Sequence, residues 1–204
     1  MVNPRCEVPQ FLHRTIHVRL PFEPDPTKFA VGGCNIIFGA PTIVCMECGW
    51  EGLIIEARGD EDQAIGGLLH DVAEDCGGEI RLREIKKKFG VRVETIVRGC
   101  SESLGAKEED KAPWRDRKAE HIERLYGANN DILLITAADK THNARAIVTN
   151  LDLIGSSLWE RFNATPQDIL WYYESVYDVL TMRGVPSTLL SPLSAALASC
   201  MRHV

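Results

Sequence analysis

One imidazole and three carboxylates fall close together in the stretch Gly67-Leu68-Leu69-His70-Asp71-Val72-Ala73-Glu74-Asp75. Groups of these types bind divalent metal ions or move protons. An apolar lead-in delivers them: Ile65, Leu68, Leu69 and Val72 recur at helical spacing and give one apolar face. On such a helix His70 and Glu74 are four apart, as are Asp71 and Asp75, so each pair stacks along the axis. A core helix does not normally take an adjacent His-Asp pair, because a buried carboxylate needs a charge partner or a metal. The plain alternative is a solvated helix end. A second stretch argues against it: Ala137-Ala138-Asp139-Lys140-Thr141-His142-Asn143-Ala144-Arg145, again behind an apolar run, Ile132-Leu133-Leu134-Ile135. Asn143 lies four after Asp139 and shares its face. Two apolar helices that each end in ligand-type residues read as one metal site built between helices.

The wording of the two stretches also resembles a family. Leu69-His70-Asp71-Val72, with Glu74-Asp75, and Ala138-Asp139-Lys140, with His142-Asn143 and Arg145, are similar to the HD-domain metal-dependent phosphohydrolases. Within these they resemble the hydrolase domain of RelA/SpoT-type proteins and the small alarmone hydrolases. The similarity covers roughly residues 53–180. It implies an all-α helical bundle and a divalent ion, Mn²⁺ by preference, held by His70, Asp71 and Asp139. It implies Glu74, Asp75 and Asn143 in catalysis, orienting the water, protonating the leaving group or holding a substrate oxygen. Lys140, Arg145, Arg115, Arg117 and Lys118 are the implied substrate contacts. The reaction implied is removal of the 3′-pyrophosphate from guanosine tetra- or pentaphosphate, so the partner is a phosphorylated guanine nucleotide.

The same resemblance exposes a gap. Family members carry a basic Arg-Lys-Gly stretch and then a His, the first of four metal ligands, upstream of the central motif. Counted back without gaps, that His falls at about Met46, and no His occurs between His17 and His70. Residues 1–52 are instead broken by Pro4, Pro9, Pro21, Pro24, Pro26 and Pro41 and by five glycines from Gly32 to Gly52. Pro and Gly interrupt every candidate helix there, so an irregular segment is expected. A shifted reading frame ending near Gly52 is one explanation. The Cys45-Met46-Glu47-Cys48 pair lacks the second ligand pair that a structural zinc site needs, and chance is its default reading. A degenerate domain that binds nucleotide without turnover remains the alternative to an active hydrolase.

The rest of the chain has to position the two motifs. Gly59-Asp60-Glu61-Asp62-Gln63 is an acid-rich helix start, suited to the positive helix N-terminus, and Cys76-Gly77-Gly78 a helix stop. Ile80, Leu82, Ile85 and Phe89 outline an amphipathic helix closed by Gly90; Val93, Ile96 and Val97 outline the next. The lysines at 86–88 read as a solvated face. A polar loop leads to Pro113, and Trp114-Arg115-Asp116-Arg117-Lys118 opens a helix. Its Arg115, Arg117 and Lys118 form the best cationic cluster for phosphate, against a salt-bridged surface helix as the alternative. Residues 131–154 read as one long helix with His142 structural, and Thr165-Pro166-Gln167-Asp168 as a helix start. Trp159, Phe162, Trp171, Tyr172, Tyr173 and Tyr177 read as core aromatics. Residues 181–204 suit one more helix.

Composition sets the outer limits. The 204 residues suit one domain with a buried core, and a net charge of −6 argues against coating nucleic acid. No apolar run approaches the roughly 20 residues that span a membrane, and no secretory signal is apparent. Seven irregularly spaced cysteines do not form a disulfide framework, which favours a cytoplasmic setting. Oligomeric state stays open.

Overall fold

A computed structural model describes residues 59–75, 78–102, 104 and 112–204, all within the compact unit Gly49–Val204. The irregular segment expected over residues 1–52 and the Cys45/Cys48 pair lie outside the described residues. The fold is all-α, with no strand among the described residues.

Helix α1 (Glu61–Leu68) starts where the sequence places it. Asp60 accepts from the Gln63 N–H, and the Gln63 side chain accepts from the Asp60 N–H, closing a capping box. The helix then stops one residue before the His-Asp pair, and a short α2 (Val72–Asp75) follows. The continuous helix through the motif expected from its apolar spacing is therefore broken: Leu69 has φ −105° and ψ 1°, and its N–H is shared among the last carbonyls of α1. Two adjacent glycines, Gly66 and Gly67, lower helix propensity just ahead of the break.

Helices α3 (Gly78–Phe89) and α4 (Val91–Cys100) pack on one another and, through α4, on α1. Leu82, Ile85, Val93, Ile96 and Val97 are buried as their spacing predicts, whereas Ile80 is 62% exposed. Gly90, at φ +95°, links the two helices in a conformation that favours glycine. Gly66 is needed for a different reason: a Cβ there would stand 2.6 Å from Cγ2 of Ile96. Gly66→Ala should therefore force α1 and α4 apart and cost about 1–3 kcal/mol, read as a lower denaturant midpoint at unchanged slope.

Helix α5 (Trp114–Gly127) leads to the central helix α6 (Asn130–Ile154). Asn129 caps α6 by accepting from the Ile132 N–H. From Leu133 to Asp139 every residue of α6 is buried, so this segment touches protein all round. Ala137, Ala138 and Ala144 have no exposed surface and let neighbouring helices approach. After a 3₁₀ segment (Gly155–Arg161), α7 (Pro166–Met182) starts with Thr165 as cap and Pro166 in its first turn. Helix α8 (Ser187–Cys200) packs along α6, where Thr141 Oγ1 donates to the Leu189 carbonyl at 3.1 Å.

Charges fix the ends of this frame. Arg92 of α4 forks onto Asp131 at 2.8 and 2.9 Å, which also accepts from Gln63, and reaches Asp60 at 2.8 Å. The starts of α1, which leads into the first motif, and of α6, which carries the second, are thus tied to one guanidinium. The aromatics divide: Trp159 and Phe162 pair near the C-terminus, while Tyr172 and Tyr173 pack with Trp114 against the site. No described helix is long and apolar enough to cross a membrane.

Candidate functional site

The break after α1 and the middle of α6 meet. His70 Nδ1 lies 2.7 Å from the Gly67 carbonyl and donates to it, which turns Nε2 toward the carboxylates. Nε2 is 3.1 Å from Asp71 Oδ2 and 3.5 Å from Asp139 Oδ1. Asp139 is 7% exposed, and its other contacts are Lys140 Nζ at 2.7 Å and Asn143 Nδ2, donating at 2.7 Å. Burial pushes the Asp139 carboxyl up, but Lys140 and His70 outweigh it and hold the group well below the usual carboxylate range. Burial likewise pushes His70 down, and its bonds to Asp139 and Asp71 override that and raise it to about 10. A proton on Nε2 thus sits where two carboxylates converge.

The chemistry of these donors fits a divalent ion. Ligands about 2.0–2.2 Å from a common ion stand roughly 2.8–3.6 Å from each other across octahedral to tetrahedral angles, and Nε2 lies at 3.1 and 3.5 Å from the two oxygens. Asn143 Oδ1 is buried without a partner among the described residues, an acceptor left for water or substrate. The fit is incomplete in one respect: among the described residues no three His, Cys, Asp or Glu side chains are jointly spaced to cage an ion. Cys100, beside the site, does not complete it as a thiolate, since burial, then Asp139 and Asp71, push the thiol up to about 12.

A second layer surrounds this centre. Glu74 Oε2 accepts from the Glu102 N–H at 2.9 Å, and the Glu102 carboxylate takes Lys118 Nζ at 2.6 Å. Lys118 and Lys140 lie 4.8 and 5.5 Å from the centroid of the same Tyr172 ring, within cation–π reach. The cationic cluster read from the sequence is therefore split. Lys118 turns inward, whereas Arg115 is exposed, paired with Asp168 and stacked 4.2 Å from the Trp171 ring centroid. Arg117 donates to the Ala112 carbonyl at 3.1 Å. Arg145 is exposed, six residues past Asp139 and hence off its helical face. The side chain of Asp75 lies outside the described residues. His142 is half-buried, and burial lowers its pKa.

Glu102, His121 and Tyr172 complete the site without having announced themselves in the sequence. Glu102 stands just past the end of α4, His121 one turn beyond Lys118, and Tyr172 in an aromatic run. His121 is 3% exposed, and neither ring nitrogen has a hydrogen-bond partner among the described residues. Burial, then Lys140, lower its pKa to about 3, so it stays neutral in the fold and titrates near 6.5 once unfolded. Its contribution is complete above about pH 6.5 and is lost as pH falls toward 3. The stability slope should approach about 1.4 kcal/mol per pH unit in that window, and His121→Leu should flatten it in denaturant titrations at stepped pH.

Comparison with known proteins places the arrangement. A family model described as HD domain matches residues 49–169. A guanosine-3′,5′-bis(diphosphate) 3′-pyrophosphohydrolase of Vibrio cholerae serotype O1 is 33% identical over 101 residues. That match takes in 47% of this chain and only 13% of the relative's length. Two solved structures share the fold. A Listeria monocytogenes EGD-e protein superposes with a TM-score of 0.62 at 22% identity, over 76% of this chain and 97% of the other. A metazoan ortholog of SpoT, described as hydrolysing ppGpp, gives 0.55 at 23% identity, over 74% and 77%. With the family match spanning more than half of its length and the His-Asp pair set opposite Asp139, the chain belongs to the HD-domain family.

Proposed function

We propose that this chain is a metal-dependent phosphohydrolase acting on a guanine nucleotide with a 3′-diphosphate. The observation that carries the reading is that His70 Nε2 stands 3.1 Å from Asp71 Oδ2 and 3.5 Å from Asp139 Oδ1. The similarity to the Vibrio pyrophosphohydrolase supports the substrate class. His70, Asp71 and Asp139 would hold the ion, and one imidazole with hard carboxylate oxygens suits Mn²⁺ as well as Zn²⁺. When bound, the ion supplies a more acidic water and positive charge against a phosphoryl oxygen.

The chain's own groups supply the rest. Asn143 braces Asp139 through Nδ2 and offers Oδ1 to the attacking water. Lys118 and Lys140, both near the Tyr172 ring, present ammonium groups to phosphate oxygens. Water adds to the phosphorus next to the ribose, and O3′ leaves with its bonding electrons. Glu74, fixed by the Glu102 N–H, takes the proton the attacking water gives up and passes one to O3′ as it leaves. Asp75 shares the acid–base work as its neighbour.

Among the described residues the site offers His70, Asp71 and Asp139, one short of the four ligands the family resemblance implies, and the sequence carries no upstream Arg-Lys-Gly stretch. Loss of an outer-shell partner alone typically costs about 10–100-fold in metal affinity or activity, so a missing ligand should cost at least that. A binding-only protein is the second reading, favoured by the lack of a complete ion cage among the described residues. The deciding experiment follows pyrophosphate release from guanosine tetraphosphate by chelator-stripped protein, with and without Mn²⁺, beside GDP. Slow release that needs Mn²⁺ and the 3′-diphosphate is expected. Binding without Mn²⁺-dependent release would establish the second reading, and neither binding nor release would remove both.

A further inference from the structure

Glu102 is out of place by ordinary electrostatics. It is a carboxylate just beyond the C-terminus of α4, where the helix dipole disfavours negative charge. Its side chain is only 10% exposed, and a buried carboxylate is costly unless paired. One contact offsets the carboxylate charge, and a second uses the residue's backbone. Its Oε1 takes Lys118 Nζ at 2.6 Å, and its own N–H donates to Glu74 Oε2 at 2.9 Å. The Lys118 side chain is 17% exposed, so its ammonium also needs a partner. Without one, a four-carbon stem leaves the charge free to snorkel toward solvent.

We infer that Glu102 is a positioning residue, which aims the Lys118 ammonium at the substrate phosphate with its carboxylate and fixes the Glu74 carboxylate with its peptide N–H. The inference rests on the phosphohydrolase reading for its substrate. The geometry stands apart from that reading. Tyr172 completes the device: its ring lies 4.8 Å from Lys118 Nζ and 5.5 Å from Lys140 Nζ, and so faces both cations at once. A salt bridge serving only the fold has no need of this arrangement. It would show itself in stability and leave nucleotide affinity alone.

The test uses the full chain with Glu102→Gln, Lys118→Met and the double variant. Calorimetry measures binding of guanosine tetraphosphate and, for comparison, GDP. In the free protein, the Lys118 ammonium is followed by its nitrogen-correlated NMR signal, which is visible only when the group is held and shielded from exchange. Each single variant should bind guanosine tetraphosphate on the order of tenfold more weakly, with GDP affected less. The double variant should be no weaker than Lys118→Met alone, the signature of two residues acting as one. The ammonium signal should vanish in Glu102→Gln. Parent-like affinity in Glu102→Gln, or fully additive losses, would overturn the inference. If the parent binds neither nucleotide, it is the substrate reading that fails, and the ammonium signal still decides: its survival in Glu102→Gln overturns the positioning role. Should Glu102→Gln fail to fold, Glu102→Asp keeps the charge but shortens its reach. Affinity between parent and Lys118→Met is then expected, and parent affinity would count against the inference.

Discussion

Asp139→Ala should lower stability by about 3–5 kcal/mol, the usual cost of removing one member of a buried ionic group. Asp139 is 7% exposed and meets three partners at once: His70, Lys140 and Asn143. Its loss strands Lys140, a buried ammonium whose pKa stays raised, against burial, chiefly through Asp139. The melting temperature should fall by roughly 6–20 °C for a domain of this size. The pH dependence carries the same signature. Asp139 has a depressed folded pKa, so its contribution is present above the ordinary carboxylate value and is lost as pH falls below it. The gap between parent and variant should therefore narrow in acid. A loss under 1 kcal/mol at neutral pH would mean that Asp139 does not organise the centre.

Asp71→Ala should do the opposite: leave the fold standing and silence the site. The Asp71 side chain is 54% exposed, and its described polar contact is His70 Nε2. Exposed substitutions of this kind usually stay within about 0.5 kcal/mol. In the presence of chelator, parent and variant should melt together. With Mn²⁺ they should part, because a ligand that binds only the folded state raises stability by about 2.7 kcal/mol at a hundredfold excess over Kd. The parent should gain with each step of added metal. The variant, reduced to His70 and Asp139, should need at least roughly tenfold more Mn²⁺ for the same gain and should release no pyrophosphate. Equal metal responses would remove Asp71 from the ligand set.

The two variants mark how the site could be read from the chain and how it could not. His70, Asp71, Asp139 and Asn143 carry their chemistry in residue type and in short spacing, so the sequence alone singles them out. Helix starts were equally legible: the acid-rich start at residues 59–63 and the Thr165-Pro166 start are local chemistry, and the structure has both. Contacts between distant segments were not. Glu102, His121 and Tyr172 reach the site from three elements, and no periodicity marks a residue by what will later face it. Arg115, Arg117 and Lys118 show the converse. They cluster in sequence, yet Asp168 and Trp171 draw Arg115 to the surface while Glu102 draws Lys118 inward.

The interruption between α1 and α2 also bears on how such a protein is engineered. Neighbours on an ideal helix diverge by about 100°, so an unbroken helix would send His70 and Asp71 to different sides. The turn at Leu69 bends the chain so that the two side chains meet, His70 Nε2 3.1 Å from Asp71 Oδ2. Routine stabilising changes here, such as alanine for Gly67 to extend the helix, would raise local propensity while pulling the pair apart. A selection for heat resistance alone would drift toward such changes, and one for metal binding would resist them. Residues 66–71 are therefore the stretch where durability and use pull against each other.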